Sequence, residues 1–445
     1  MGAAGAVHQG KPPLFAARHR RAAVGSSARA VPRLGRGGMS DYDVVVCGGG
    51  PSGTTTAFYA ARAGLRVALV DRAKFPRDKA CGGLLTPRVL SELPELAPFI
   101  EPVIECASHD VRLYSPSLKY RIDFDFGPYT PWNIRREIFD NALLEAAREA
   151  GAEVFTGTRA SSFDFNGGVT VATPQGDLSA QVVVGAMGAN DALAQRVREA
   201  RGVAPWHDGE IGTALMWEPE VGRDFMEHAF GDKRSLLVHF RPAGIEGYGW
   251  VFPKDTILNI GFGGYNRTIK SINVREIWKD YLELLRNDGY FPAGDPDPPV
   301  KGAPLPLGGP LRATTAERTL IVGDSAGMVS PLSGEGIYYG MHAGKLAVET
   351  IQQALASGDF SQRALDSYHR AWQHAFGQEL RDLSFFAKLA LKFPERMVYY
   401  GTRDPKMCEI FADLFLGVTP GGLGKRKPVA RALRNVIRYP YFGWG

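Results

Sequence analysis

An α/β fold follows from three features of the chain: an apolar run, glycine cluster and helix at 43–63; a second such unit at 320–356; and period-two alternation in the segments between them. Apolar runs that feed a glycine turn and a helix are the pattern of parallel βα units. Alternation signals strands with one face turned away from the core, as in antiparallel sheets. The sequence therefore predicts a Rossmann-type domain with a doubly wound sheet, an antiparallel-sheet substrate domain and a C-terminal helical region.

The first unit opens with Asp43-Val44-Val45-Val46-Cys47, a short apolar run that reads as a buried parallel strand. Gly48-Gly49-Gly50-Pro51-Ser52-Gly53 follows and fits G-x-G-x-x-G, leading into a helical stretch from Thr54 to Ala63. Gly48 permits the tight turn, Gly50 lets backbone approach a pyrophosphate, and Gly53 lets the helix pack closely on the strand. The helix N-terminus offers free N–H groups and the positive end of a dipole to phosphates. A second run, Arg66-Val67-Ala68-Leu69-Val70, ends at Asp71, placed to accept hydrogen bonds from an adenosine ribose. A lone glycine motif is weak, but here strand, helix, second strand and terminal acid stand in order.

This fingerprint does not separate FAD from NAD, and the downstream unit does. Leu320-Ile321-Val322 ends in Gly323-Asp324, then come Gly327, Pro331 to Gly336, and a long helix from Ile337 to about Ala356. In flavoproteins such an aspartate holds ribityl hydroxyls, while the following helix N-terminus stabilises negative charge on reduced flavin. The expected cofactor is FAD.

Composition excludes several other classes. At 445 residues the chain exceeds the size at which single cores stop growing, and its 44% hydrophobic and 22% charged residues suit a globular protein. The net charge of +5 arises at the two ends: residues 1–40 hold seven Lys/Arg and residues 414–445 six, neither with any acid. Removing those 13 from 52 basic residues leaves 39 against 47 acidic, so residues 41–413 carry −8 and offer no nucleic-acid groove. Cys47, Cys81, Cys106 and Cys408 lie far apart with no C-x-x-C, which indicates neither a metal site nor a disulfide framework and suits a reducing compartment. No window of 18 apolar residues exists to span a membrane.

Both ends invite two readings. The Arg-rich, acid-free segment 1–40 has the composition of an organellar transit peptide. The favoured reading is an upstream start, because Met39-Ser40-Asp41 runs directly into the first strand. The location expected is then cytoplasmic, or at the inner face of a membrane if the tail attaches there. From Lys425 to Arg438 basic residues alternate with Val429, Leu433, Val436 and Ile437, and Tyr439, Tyr441, Phe442 and Trp444 follow. Such a tail either lies on an anionic bilayer or packs its aromatics on the body.

With these motifs in hand, the chain resembles the geranylgeranyl reductase family, a branch of the flavoproteins built like p-hydroxybenzoate hydroxylase. The likeness covers residues 41–360. It rests on the fingerprint with Asp71, on Pro76 to Gly83 (similar to the family's Cys-Gly-Gly segment), on Arg136-Glu137-Ile138-Phe139-Asp140 (like its R-x-x-F-D helix) and on the Asp324 segment. The most discriminating motif is Tyr248-Gly249-Trp250-Val251-Phe252-Pro253 followed by Gly261-Phe262-Gly263, similar to an element that lines the lipid pocket in prenyl reductases. Without the resemblance, Tyr248, Trp250 and Phe252 on one strand face read as core packing.

The resemblance implies cofactor contacts from Gly48, Gly50, Pro51, Ser52, Gly53, Asp71, Arg72, Cys81, Gly82, Gly83, Arg136, Asp324, Gly334, Glu335, Gly336 and Ile337. It implies substrate contacts from Tyr248, Trp250, Phe252, Pro253, Gly261 and Gly263. One departure stands out: the larger class has Gly-Ala-Asp-Gly where this chain reads Gly185-Ala186-Met187-Gly188. No second strand-linked G-x-G-x-x-G appears, so the electron donor, NADPH or ferredoxin, stays open.

The cofactor domain is expected from segments 41–105, 133–200 and 301–360, the substrate domain from 106–132 and 201–300 as a roof over the flavin, and 361–445 as helices ending in the basic tail. The activity implied is saturation of prenyl double bonds. An isoprene alkene has no carbonyl to draw electrons, so hydride must be matched by a proton in a dry apolar slot. Cys81 is the leading candidate for a functional group there, with Tyr248 behind it; alternatively Cys81 is a small residue that lets its loop approach the ring. The rivals are a flavin monooxygenase or halogenase, weakened by the lack of a halogenase-like G-x-K, and a non-catalytic prenyl-lipid binder.

Overall fold

The computed structural model describes residues 40–294, 298–416, 426–439 and 441. Residues 1–39, Lys425, Phe442 and Trp444, on which the leader reading and part of the tail reading rest, lie outside them.

The expected α/β fold is the one observed. Tyr42–Cys47 is the central strand of the first sheet, flanked by parallel Leu178–Gly185 on one side and Val67–Asp71 on the other. Thr319–Ile321 joins beyond Leu178–Gly185, and Glu153–Thr156 beyond Val67–Asp71, both parallel. The order reverses at the central strand, which makes the sheet doubly wound. Val44, Val45 and Val46 are fully buried, as a strand covered on both faces must be, each contributing roughly 1.5–3 kcal/mol by burial.

The helix after the central strand runs Pro51–Arg62, three residues earlier than the apolar pattern suggests, because proline fits the first helical turn. It packs against the long helix Ile337–Ser357 through contacts that admit no side chain. A Cβ on Gly340 would lie 2.1 Å from Ser52 Oγ, and one on Gly344 2.8 Å from the Ser52 carbonyl. The two helix N-termini are thereby brought side by side.

The second sheet has seven strands, in the order Lys301–Pro306, Ile211–Trp217, Leu258–Tyr265, Gly247–Pro253, Leu236–Phe240, Asp110–Tyr114, Arg121–Asp125. It departs from the antiparallel expectation at one pair: Leu236–Phe240 runs parallel to Asp110–Tyr114. The Asp110–Asp125 hairpin arrives from a separate, earlier stretch of chain, so no tight turn fixes its direction. Lys301–Pro306, which the sequence reading groups with the cofactor segments, pairs with Ile211–Trp217 in this second sheet.

Helices follow from Gln362 to Leu416. The first braces the Asp324 strand: Tyr368 donates to the Ile321 carbonyl (3.0 Å) and Trp372 Nε1 to Thr314 Oγ1 (3.0 Å). The tail forms a helix, Arg426–Arg438, whose Arg431 grips Asp404, while Tyr441 packs on Tyr120 and Tyr399. Those contacts follow the packing reading of the tail. No helix among the described residues is long and apolar enough to cross a membrane.

Candidate active site

A cavity of about 900 Å³ lies between the two sheets, with the dinucleotide loop, the Cys81 loop, the Ser333–Ile337 turn and the aromatic strand in its walls. Each wall has a local cause. Gly48 sits at φ +118, and a Cβ there would lie 2.1 Å from the Ala186 carbonyl oxygen; on Gly53 it would lie 1.9 Å from the Gly48 oxygen. Only glycine folds at these two points. Gly50 differs, since its Cβ would meet nothing nearer than Arg77 Nη2 at 3.9 Å. Asp71 pins the loop, accepting from Gly49 N (2.6 Å) and Ala73 N (2.7 Å).

These features fit the pyrophosphate of a dinucleotide. The Pro51 helix begins without a side-chain cap and without an acid in its first turn, so its N–H groups are left for a ligand. The Ile337 helix begins the same way, after Gly336. Two uncapped helix starts and the open face of Gly50 in one cavity suit an FAD, whose phosphates and reduced ring both carry negative charge.

Cationic groups reinforce this. Asp140, wholly buried, holds Arg136 (2.7 and 2.8 Å) and Arg77 (2.9 Å) together, and both arginines line the cavity. Burial opposes the Arg136 cation, but Asp140 and the neighbouring Cys81 thiol outweigh it and hold the guanidinium above its usual range. Burial pushes Asp324 up, against the pull of Lys79 and Arg136.

The Cys81 loop is bolted to the aromatic strand. A Cβ on Gly82 would meet the Phe252 ring at 2.9 Å, and one on Gly83, at φ +72, the Ile134 oxygen at 2.3 Å. Asn259 Nδ2 donates to the Cys81 carbonyl (2.8 Å) and to Glu218 Oε1 (2.9 Å), while its Oδ1 accepts from Trp250 Nε1 (2.7 Å). Beneath them the fully buried Lys254 pairs with Glu218. Tyr248 donates its hydroxyl to the Ser333 carbonyl, and burial, with Cys81 close by, pushes its pKa far up. Its proton is committed to tying the aromatic strand to the Gly334 turn.

Glu335 is enclosed by protein yet keeps part of its surface open to the cavity. Thr86 Oγ1 donates to its Oε1 (2.9 Å). Burial pushes its carboxyl up to about 7, against the weaker pull of Arg88 and the Thr86 hydroxyl.

Of the residues proposed for cofactor, all but Gly53 line the cavity; Gly53 instead packs helix on turn. Of those proposed for substrate, Tyr248, Trp250, Phe252 and Gly263 line it. Pro253 and Gly261 stand behind, Gly261 because a Cβ would strike the Trp250 indole at 2.1 Å. Arg77, Lys79, Leu305, Leu307 and Leu391 also line the cavity and were not singled out. The spacing of Gly336, Gly340 and Gly344 signals the close helix crossing and was open to sequence reading. Met187 lines the cavity where the larger class has aspartate, and the nearby Asp191 stays behind the wall, accepting from Met187 N (3.0 Å) and Ser325 Oγ (2.7 Å).

Fold and site together define a flavin-dependent oxidoreductase, and residues 43–219 match the FAD-dependent oxidoreductase family model. The chain is 30% identical to menaquinone reductase of Mycobacterium tuberculosis over 75% of its length and 82% of that protein. It is 31% identical to geranylgeranyl diphosphate reductase of Rhodobacter capsulatus over 71% of its length and 76% of that protein. The solved structure of a geranylgeranyl bacteriochlorophyll reductase-like protein from Thermoplasma acidophilum shares the fold, with a TM-score of 0.71, 22% identity, and coverage of 91% of this chain and 98% of that one. The chain belongs to the geranylgeranyl reductase family of FAD-dependent oxidoreductases.

Proposed function

We propose that the protein saturates carbon–carbon double bonds in the isoprenoid chain of a lipid. The observation that carries this reading is the aromatic strand: Tyr248, Trp250 and Phe252 form one wall of the cavity that the dinucleotide loop and both uncapped helix starts also line. The relatives above are named for menaquinone and geranylgeranyl diphosphate, molecules that share an isoprenoid chain on unlike head groups. A common chain with variable heads supports the chain as the part recognised.

Bound FAD would supply hydride. The protein's own residues supply binding, dryness and a proton. Gly50 and the Pro51 helix start would receive the pyrophosphate, with Arg136 held toward the cofactor by Asp140. Trp250 and Phe252 exclude water from the alkene. Glu335 holds a proton near neutrality inside the cavity and is the group we assign to deliver it. Cys81, beside Arg136, shapes the ring-facing wall.

The test is anaerobic. Enzyme reduced chemically and mixed with a geranylgeranyl lipid re-oxidises and yields product heavier by two hydrogens per bond. Cys81→Ser slows that step without releasing FAD. Product that forms only when oxygen is admitted, with the mass of one added oxygen, would replace this reading with a hydroxylase.

A further inference from the structure

Helix Gln378–Lys392 buries Leu380, Leu383, Phe386, Ala387 and Ala390 against the core. Its opposite face is unusual. Phe385 (39% exposed) and Leu389 (39%) stand out there, followed by Phe393 (41%) just past the helix end. These three fall within nine residues, although exposed large hydrophobics are scattered elsewhere among the described residues. Isolated exposed apolar residues are ordinary, whereas a cluster marks a contact surface.

The charges around the cluster identify the contact. Arg381, Lys388, Lys392 and Arg396 are exposed at helical spacing with it. Between residues 383 and 403 the sole carboxylate is Glu395, and it is engaged by Ser115 and Ser117. Lys392 lies over the Phe393 ring (5.4 Å), and Arg396 lies over both Phe393 (5.8 Å) and Tyr441 (5.6 Å), which extends the basic, aromatic face toward the tail. Aromatic and aliphatic side chains interleaved with four exposed cations, with Glu395 held by serines, match the interface of an anionic bilayer. A protein partner would be expected to meet acids as well as bases.

The same helix reaches the active site. Leu391, flanked by Ala390 and Lys392, lines the cavity together with Leu305 and Leu307. We infer that the Phe385–Phe393 face seats the enzyme on anionic lipid, setting the apolar end of the cavity beside the bilayer from which a prenyl lipid would enter. The inference rests on the prenyl-lipid reading for its purpose, but the surface is testable without it.

The experiment is sedimentation of the FAD-loaded full chain with phosphatidylcholine vesicles, with and without phosphatidylglycerol. Wild type should bind the phosphatidylglycerol vesicles and be released by high salt. Lys388→Gln/Lys392→Gln should bind roughly thirtyfold more weakly, at about fivefold per removed charge. Phe385→Ser/Leu389→Ser/Phe393→Ser should fail to bind even at low salt. The lysine variant, altered only at exposed positions, should retain wild-type turnover of detergent-dispersed substrate. Three results overturn the inference: wild type that binds no vesicles, binding unchanged in both variants, or binding lost only in Arg434→Gln/Arg438→Gln of the tail helix. Vesicle binding that follows the patch while no prenyl lipid is reduced in detergent would sink the proposed function and leave the surface standing.

Discussion

Two of the glycine-rich loops that line the cavity put glycine to opposite ends. In the Gly48–Gly53 loop the middle glycine faces open space, with its nearest neighbour 3.9 Å from a would-be Cβ. In the Cys81–Gly83 loop the glycines face protein, Phe252 at 2.9 Å and the Ile134 oxygen at 2.3 Å. Space left open by the fold is space for a ligand; space filled by the fold sets a wall. The first loop is therefore a binding device and the second a positioning device, and substitutions should separate them.

The sharpest break lies within the first loop. Gly50→Val should fold like wild type, with unchanged circular dichroism, and purify without flavin absorbance, because its side chain occupies the pyrophosphate position. Gly48→Ala, though smaller, should fail to fold, since φ +118 and a 2.1 Å approach to the Ala186 oxygen leave no room for any side chain. A Gly50→Val protein that stays yellow would remove the binding role from this loop.

Next in size is Glu335→Gln, which should lower turnover on the order of 100-fold, the usual scale for a lost proton donor, while FAD content holds. With the carboxyl pushed up to about 7, wild-type turnover falls as pH rises through that value. The glutamine variant should lose this limb of the profile. Stability moves in parallel. Raised above its ordinary value of 4.5, the folded carboxyl contributes stability below that value and loses it as pH rises through about 7. Wild type should therefore lose Tm relative to Glu335→Gln between pH 5 and about 8. A profile unchanged by the substitution would send the search for the proton elsewhere.

The two loops were unequally legible in the sequence. Gly48, Gly50 and Gly53 announce themselves because strand, turn, helix and Asp71 are contiguous, and local geometry dictates their spacing. The aromatic strand was legible as alternation, and its pairing of Tyr248, Trp250 and Phe252 on one face follows from the strand period. What joins that strand to Cys81 was not legible. Asn259, Glu218 and Lys254 are separated in sequence from Cys81 by well over a hundred residues; Asn259 looks like an ordinary polar interruption of an apolar strand, and Glu218 and Lys254 like polar residues that end two others. Gly261 is the opposite case: its place in a motif suggests contact with substrate, and in the structure its missing side chain makes room for the Trp250 indole.

Asn259 offers the finest test of the positioning loop, because its side chain spans the Trp250 donor and the Cys81 acceptor at once. Asn259→Ala leaves the buried Trp250 N–H without that partner, at a cost of about 1–3 kcal/mol, reduced if water enters the vacated space. Asn259→Asp changes the shape less but should cost more. Its carboxylate could still accept from Trp250, yet the second oxygen would face the Glu218 carboxylate and the Cys81 carbonyl, both acceptors. Protonation of the new carboxyl would restore a donor, so the aspartate variant should regain Tm as pH falls while the alanine variant does not. Both should keep FAD, since neither touches the dinucleotide loop, and both should lower kcat several-fold by loosening the Cys81 loop. Alanine proving the more damaging of the two in thermal melts at neutral pH would mean that the Cys81 carbonyl does not depend on this donor, and the loop would have to be held by the Phe252 and Ile134 contacts alone.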